Sequence, residues 1–436
     1  MRAVMWLWFG QLISLVGTGM TRFAGTVWIW QQTESATAVA FFWFFVFGPG
    51  IVLSPIAGAL VDRWNRKRVL IGADLGAGLA TIGLLVLYLL GVLEIWHFFV
   101  AGFIASAFEA FQNPAQAASI TTMVPREQFG RANGIMSMVQ FGATVVSPAL
   151  AGILLAPIGL QGIFGIDVVT FLFAVAVLFL LRIPQPPRSA EGAQGAGSLR
   201  KEIVYGFRYL TGRTALLSLL GLFGMVTFLV AFFVGVINPM ILARTANDET
   251  VLGLVLSLNG VGGVLGGLLL STWGGPKTRI FGVLGGVIAM NFGIALTGLG
   301  QSLWLWGIGA FLAAFFIPII NGCNRAIFQS KIAPDVQGRV FGVMRVVGQA
   351  AFPLAMLIVG PLADYVFEPA MMSGGALAPL FGAVVGIGEG AGMSLMMLLA
   401  GLAGILVGLL GFVVRNVRDV ETLLPDQVPG NAAAAE

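Results

Sequence analysis

Gly58-Ala59-Leu60-Val61-Asp62-Arg63-Trp64-Asn65-Arg66-Lys67-Arg68 separates two apolar runs, residues 37–61 and 69–91. Each run is long enough to cross a bilayer, which takes roughly 20 residues as a helix. The four cations of the quoted stretch therefore mark one side of a membrane, because basic residues resist translocation and stay cytoplasmic. Outward from this connection the pattern repeats. Of the 23 lysines and arginines, all but Arg22, Arg244 and Arg345 lie on every second connection between apolar runs or close to one.

The spans read as 4–31, 37–61, 69–91, 95–119, 129–156, 160–182, 214–243, 250–272, 278–300, 302–330, 339–364 and 391–414. The expected fold is an all-α integral membrane protein with twelve transmembrane helices in two six-helix, pseudo-symmetric halves. The expected location is the plasma (inner) membrane, multi-pass, with both termini cytoplasmic. Arg2 precedes the first run and no small-residue cleavage site follows it, so that run reads as a retained helix.

Composition agrees. The chain is 58% hydrophobic and only 10% charged, with a mean hydropathy of +0.95; soluble domains are about a quarter charged. The net charge of +4 lies on membrane-edge connections, where anionic head groups attract it, so nucleic acid is not an expected partner. A single cysteine, Cys323, excludes an internal disulfide, and a single histidine, His97, excludes a multi-histidine metal site. No metal and no cofactor are expected.

Pro184-Gln185-Pro186-Pro187 ends the sixth span, and the Gly/Ala/Ser-rich run after it cannot bury a core. Four regions follow: an N-terminal six-helix half (1–183), a cytoplasmic linker with an amphipathic helix (184–212), a C-terminal six-helix half (213–415) and a cytoplasmic tail (416–436). The amphipathic helix covers 199–212, with Leu199, Ile203, Phe207 and Leu210 on one face. Gly130-Arg131-Ala132-Asn133-Gly134-Ile135-Met136 recurs as Gly338-Arg339-Val340-Phe341-Gly342-Val343-Met344. Each copy follows a proline and opens the fifth span of its half, as a parallel internal repeat would. Residues 365–390 fit either an external loop dipping into the membrane or an early part of the last helix.

Three features bear on mechanism. The carboxylate of Asp62 beside a basic cluster at a helix end can pair with cations or a neighbouring helix N-terminus. Gly58, Asp62, Arg63, Lys67 and Arg68 thus form a candidate conformational latch; a plain topology signal is the simpler reading. On the fourth span, Glu109, Gln112, Asn113 and Gln116 share one face. Such a stripe is costly in lipid and should face protein or a water-filled cavity. The tenth span carries Asn321, Asn324, Arg325 and Gln329 at matching places. The two stripes read as two walls of one substrate cavity, or as helix–helix hydrogen bonds without a ligand. Arg22, inside the first span, lies within about 7 Å of the depth of Glu109 at 1.5 Å rise per residue. The two are expected to pair, either permanently or with Glu109 exchanging Arg22 for a proton. Asp74 is expected to pair with the basic loop or cap backbone, and Asp167 to be structural. Arg345 can snorkel to the cytoplasm or pair with Asp62 or Asp74. Trp28, Trp30, Trp96, Trp304 and Trp306 read mostly as interface belts.

The quoted loop resembles the signature loop of the major facilitator superfamily at Gly58, Asp62, Arg63, Lys67 and Arg68. Asn65 stands where a turn glycine is usual; asparagine tolerates left-handed backbone angles. Further segments are similar to the branch containing macrolide effluxers and enterobactin-type siderophore exporters. They are Gly10-Gln11, Ser14, Gly17, Thr33-Glu34-Ser35, Asn113-Pro114-Ala115, Val124-Pro125, Gln128, Arg131-Ala132-Asn133-Gly134 and Gln337-Gly338-Arg339. The resemblance implies export coupled to proton entry. Gly142, Pro148 and Gly152 fit the antiporter pattern of the fifth span, while Ser147 departs from it. The expected function is a secondary active transporter, a proton-coupled exporter of a small amphipathic compound of the drug or siderophore class, working by alternating access. Its expected partners are that small molecule, protons and membrane lipid, and a monomer is expected. The alternative is an uncoupled lipid flippase or facilitator on the same scaffold. No His-Glu-x-x-His, Gly-x-Ser-x-Gly or phosphate-loop pattern is present, so an enzyme is not expected.

Overall fold

The computed structural model describes residues 2–61, 64–123, 129–181, 207–332 and 337–425. The expectations for Asp62, Arg63, residues 184–206 and the tail beyond 425 fall outside this set, as do the side chains of Asn113, Arg131, Arg339 and Arg345. The described residues are mostly helical and contain no strand.

The long helices are α1 (Arg2–Thr33), α2 (Ala36–Val61), α3 (Arg66–Leu89), α4 (Ile95–Met123), α5 (Phe129–Leu180), α6 (Thr214–Arg244), α7 (Glu249–Trp273), α8 (Arg279–Leu299), α9 (Leu303–Phe315), α10 (Ile317–Lys331), α11 (Gln337–Leu362) and α12 (Ala391–Val413). Eleven stretches among the described residues are long and apolar enough to cross a membrane. This is a multi-pass membrane protein.

One of the eleven, Met138–Leu180, has 43 residues. At 1.5 Å per residue it would be about 65 Å long, twice a hydrocarbon core of about 30 Å. The reason is local. Gly159 sits at φ 66°, ψ −179° inside α5, a region open essentially only to glycine. It divides α5 into two limbs, as the expected gap between 156 and 160 implied. The opposite happens near residue 316. The apolar run 302–330 reads as one helix, yet α9 ends at Phe315 and α10 starts at Ile317, with Pro318 in its first turn. Proline lacks the N–H that would continue the ladder.

Caps fix several ends. Asp248 caps α7 by accepting from the amides of Thr250 (2.9 Å) and Val251 (3.0 Å). Asn65 caps α3 by accepting from the Arg68 amide at 3.2 Å. Its φ of −69° and ψ of 113° are extended, so its role is that of an N-cap and not the left-handed turn the sequence suggested. Residues 365–390 are not an early part of α12, which begins at Ala391. They hold a π-helical turn (Ala363–Phe367) and two short helices, Glu368–Met371 and Ala378–Val385. Arg244 pins this segment by donating to the carbonyls of Val385 and Gly390. Of the expected amphipathic helix, residues 207–211 are described and helical.

Helices pack closely where glycines permit. A Cβ added at Gly17 of α1 would lie 2.9 Å from Asp167 Oδ1 on the second limb of α5. Helices before residue 181 meet those after 213 chiefly along two helix pairs. On α2 and α11, Phe47 meets Phe352 edge-on at 5.2 Å, and a Cβ at Gly360 would lie 3.0 Å from Ala40 Cβ. On α5 and α7, a Cβ at Gly152 would lie 2.7 Å from the Glu249 carbonyl oxygen, and Ser257 Oγ donates to the Val145 carbonyl at 2.9 Å. Both contacts lie towards the end of the bundle where α2 begins, opposite the basic connections.

Candidate ion and substrate sites

α1 and α4 bring Arg22 and Glu109 together, with Arg22 Nη2 donating to Glu109 Oε1. The side chains are 26% and 31% exposed, so the pair sits in the bundle without being sealed off.

One turn deeper on α4, a carboxamide network forms. Gln112 Nε2 donates to Asp74 Oδ1 at 2.5 Å and to Gln11 Oε1 at 3.0 Å. Gln11 Nε2 donates to Asp74 Oδ2 at 3.0 Å, and Gln116 Nε2 donates to Gln11 Oε1 at 2.9 Å. Asp74 therefore pairs with neither the basic loop nor backbone: two glutamines from α1 and α4 hold it. The side chain of Asn113 lies outside the described set. Gln11 carries no charge, and nothing in its spacing tied it to the stripe on α4.

Asp167, on the second limb of α5, is 2% exposed. Thr18 Oγ1 donates to its Oδ1 at 3.2 Å. Thr21 Oγ1 and Thr81 Oγ1 donate to its Oδ2 at 2.8 and 2.9 Å. Thr18, Thr21, Thr81 and Arg22 border one small cavity of about 40 Å³, closed on its apolar side by Phe42 and Phe98. A water needs roughly 10–15 Å³ by this measure and a few polar partners, so the cavity admits water.

The second stripe is placed differently. On α10, Asn321, Arg325 and Gln329 are exposed and Asn324 is half-buried, while Ile319, Ile320, Cys323, Ile327 and Phe328 face the core. The Asn324 Oδ1 has no hydrogen-bond partner. α10 packs chiefly against α7, α8 and α9.

At the basic connection, Lys67 Nζ donates to the carbonyls of Phe179 and Leu181, each at 2.8 Å. It neutralises the C-terminal end of α5 as expected for a cation there. Gly58 lies in the last turn of α2, and Arg68 takes part in the Asn65 cap through its amide.

A carboxylate that the sequence reading passed over stands at the opposite end. Asp364 Oδ1 accepts from the Ala36 amide at 2.9 Å, and its Oδ2 accepts from the Thr37 amide at 2.9 Å and Ser35 Oγ at 2.6 Å. It caps α2 from the end of α11. Trp30 Nε1 donates to Asn247 Oδ1 at 3.0 Å, and Gln31 Nε2 donates to Glu249 Oε1 at 2.8 Å, close by. Trp30 is thus a joint residue and not an interface-belt one. Trp306 is buried too, with its N–H on the Gly300 carbonyl at 2.8 Å, while Trp96 and Trp304 are exposed as belts require.

Comparison with known proteins adds a family. The profile described as Major Facilitator Superfamily matches residues 7–356. Macrolide efflux protein A of Streptococcus pyogenes is 28% identical over 361 residues, covering 82% of this chain and 88% of that protein. Multidrug efflux pump Tap of Mycolicibacterium fortuitum is 29% identical over 373 residues, covering 82% and 88%. Enterobactin exporter EntS of Salmonella typhi is 27% identical over 263 residues, covering 60% and 62%. Among solved structures, a bacterial homolog of the human lysosomal transporter Spinster, inward-facing and unoccupied, superposes with a TM-score of 0.67. It is 16% identical, with 97% and 98% of the two chains covered.

Proposed function

The chain belongs to the Major Facilitator Superfamily, and from that premise we propose that it is a proton-coupled exporter of a small amphipathic compound, working by alternating access. The observation that carries this reading is the Arg22–Glu109 pair, placed inside the spans beside a wall of glutamines. A charged pair at that depth needs a reason, because intramembrane ionisable groups are expensive. Glu109 is the proposed proton-coupling group and Arg22 its counter-ion. Gln112, Asn113 and Gln116 with Asn321, Asn324, Arg325 and Gln329 are the proposed cavity walls. The polar face of α10 supports this, since it turns away from the core and would be costly against lipid. The efflux relatives favour cargo of the macrolide or siderophore class.

Counting the two limbs of α5 separately gives twelve spans in two halves, 1–183 and 213–415, joined by the linker 184–212 and followed by the tail 416–436. Basic connections at one end place that end and both termini in the cytoplasm. With that orientation the Asp364 and Gly152 contacts lie on the outer side, where they hold the two halves together. Gly58, Asp62, Arg63, Lys67 and Arg68 are proposed as the latch of the inner side. The protein is proposed to act as a monomer in the inner membrane.

The test is uptake of radiolabelled macrolide into inverted proteoliposomes under an imposed pH gradient. Uphill accumulation that collapses with the gradient supports the reading. Gradient-independent movement of macrolide or lysolipid would favour an uncoupled flippase or facilitator instead.

A further inference from the structure

We propose that Asp167 is a second proton-binding group that shares Arg22 with Glu109. The inference rests on the exporter reading above and extends its ion chemistry to a residue that reading does not use.

The first argument is charge. Away from their ends, the spans of α1 to α5 carry three carboxylates, Asp74, Glu109 and Asp167, and one cation, Arg22. Uncompensated charge inside a membrane protein is strongly disfavoured. Fewer than three negative charges can persist there, so at least one carboxyl holds a proton.

The second argument is the chemistry of each shell. The Asp74 oxygens face the N–H2 groups of Gln11 and Gln112. Those groups donate and cannot accept. Their orientation is fixed in turn, since the Oε1 of Gln11 already accepts from Gln112 and Gln116. A proton on Asp74 would face a donor. Asp167 is surrounded by three threonine hydroxyls, each both donor and acceptor and free to rotate. Its Oδ2 takes two of them and its Oδ1 only Thr18. A proton on Oδ1 can be donated to Thr18 Oγ1 while Thr21 and Thr81 continue to donate to Oδ2. The shell is satisfied with the proton and without it.

The third argument is access. Arg22 follows Thr21 directly, and it borders the same water-sized cavity as all three threonines. Away from their ends, α1, α3 and α4 carry Arg22, Asp74 and Glu109, and of these Arg22 is the group that acts on Asp167; α7 brings only Glu249, at the Gly152 end of the first limb. In this conformation Arg22 pairs with Glu109 and Asp167 holds its proton. When Glu109 takes a proton from water on Oε1, Arg22 is released. It turns to Asp167, whose O–H bond breaks and whose proton passes to water in the cavity. One proton enters and one leaves, and the guanidinium always has one carboxylate.

Infrared difference spectroscopy of the purified full-length protein, titrated from acid to alkaline pH, reads protonated carboxyls directly and needs no substrate. Wild type should show a carboxyl band that Asp167→Asn lacks and Asp74→Asn keeps. Arg22→Gln removes the cation and should tighten proton binding at that band at least about tenfold. A permanently charged structural Asp167 predicts neither effect. Persistence of the full band in folded Asp167→Asn, or an unmoved midpoint in folded Arg22→Gln, overturns the proposal. If Asp167→Asn does not fold, the Arg22→Gln titration decides alone. Loss of uphill export with this titration intact would overturn the exporter reading and leave the Asp167 assignment standing.

Discussion

The helices before the linker and those after it differ in what they bury. Spans α1 to α5 enclose Asp74, Glu109, Asp167 and Arg22, all engaged with partners from other helices. Spans α6 to α10 and α12 carry no carboxylate away from their ends. Their buried polar groups away from the helix ends are neutral, and several polar atoms are left without partners: Asn238 Oδ1, Asn291 Oδ1, Asn324 Oδ1 and Ser394 Oγ. The carboxylates of α11 and its extension, Asp364 and Glu368, cap helices at one end of the bundle. One region thus encloses charged groups. The other offers a neutral frame and the open polar face of α10. On this account coupling belongs to the first region, and cargo and gating draw on both.

The largest effect should come from Glu109→Gln. Breaking a fully buried pair outright costs about 3–5 kcal/mol. With the side chains a quarter to a third exposed and Asp167 able to take Arg22 over, about 2 kcal/mol or less is expected, read as a lowered thermal unfolding midpoint. Uphill export should stop, while exchange without a gradient survives. A stable variant with normal pH-dependent pumping would remove Glu109 from the coupling role. Asp364→Ala comes next. It removes three hydrogen bonds to a carboxylate, at about 1.5–3 kcal/mol before water replaces them. Spin labels at Gln31 and Glu249 should then report a longer outer distance, and an unchanged distance would deny Asp364 its gating part. Gly253→Ala is third. Its Cβ would stand 3.1 Å from the Gly152 Cα and closer still to the Pro148 carbonyl oxygen, so α5 and α7 must separate. A cost of about 1–3 kcal/mol for overpacking is expected, with the same outer opening. The smallest effect is that of Arg325→Gln, on the exposed face of α10. Stability should stay within about 0.5 kcal/mol while apparent affinity for cargo changes. A large stability loss would mean that Arg325 is structural.

Much of the frame was readable in the residues. Apolar length and basic connections gave the spans, including the gap between 156 and 160 where α5 divides. The Arg22–Glu109 pairing followed from depth alone. Other features have no linear trace. The break at Phe316 hides in an unbroken apolar run, where Pro318 alone hints at it. The shell of Asp167 is built from Thr18, Thr21 and Thr81, ordinary residues on two other helices. Gln11 joins Asp74 to α4 across 63 positions of sequence. Asp364 looks like a span-end acid until the amides of Ala36 and Thr37, more than 300 positions away, are placed against it. Contacts between single polar residues on separate helices leave no periodicity, so only packing reveals them.

The central claim is that a proton gradient is converted to export through carboxylates of the first region. The most direct measurement is proton flux in proteoliposomes holding a pH-sensitive dye, with macrolide added to one side. Macrolide should drive proton movement opposite to its own in wild type, and Glu109→Gln should abolish that movement while macrolide still exchanges. Macrolide transport by wild type with no accompanying proton flux would contradict the account.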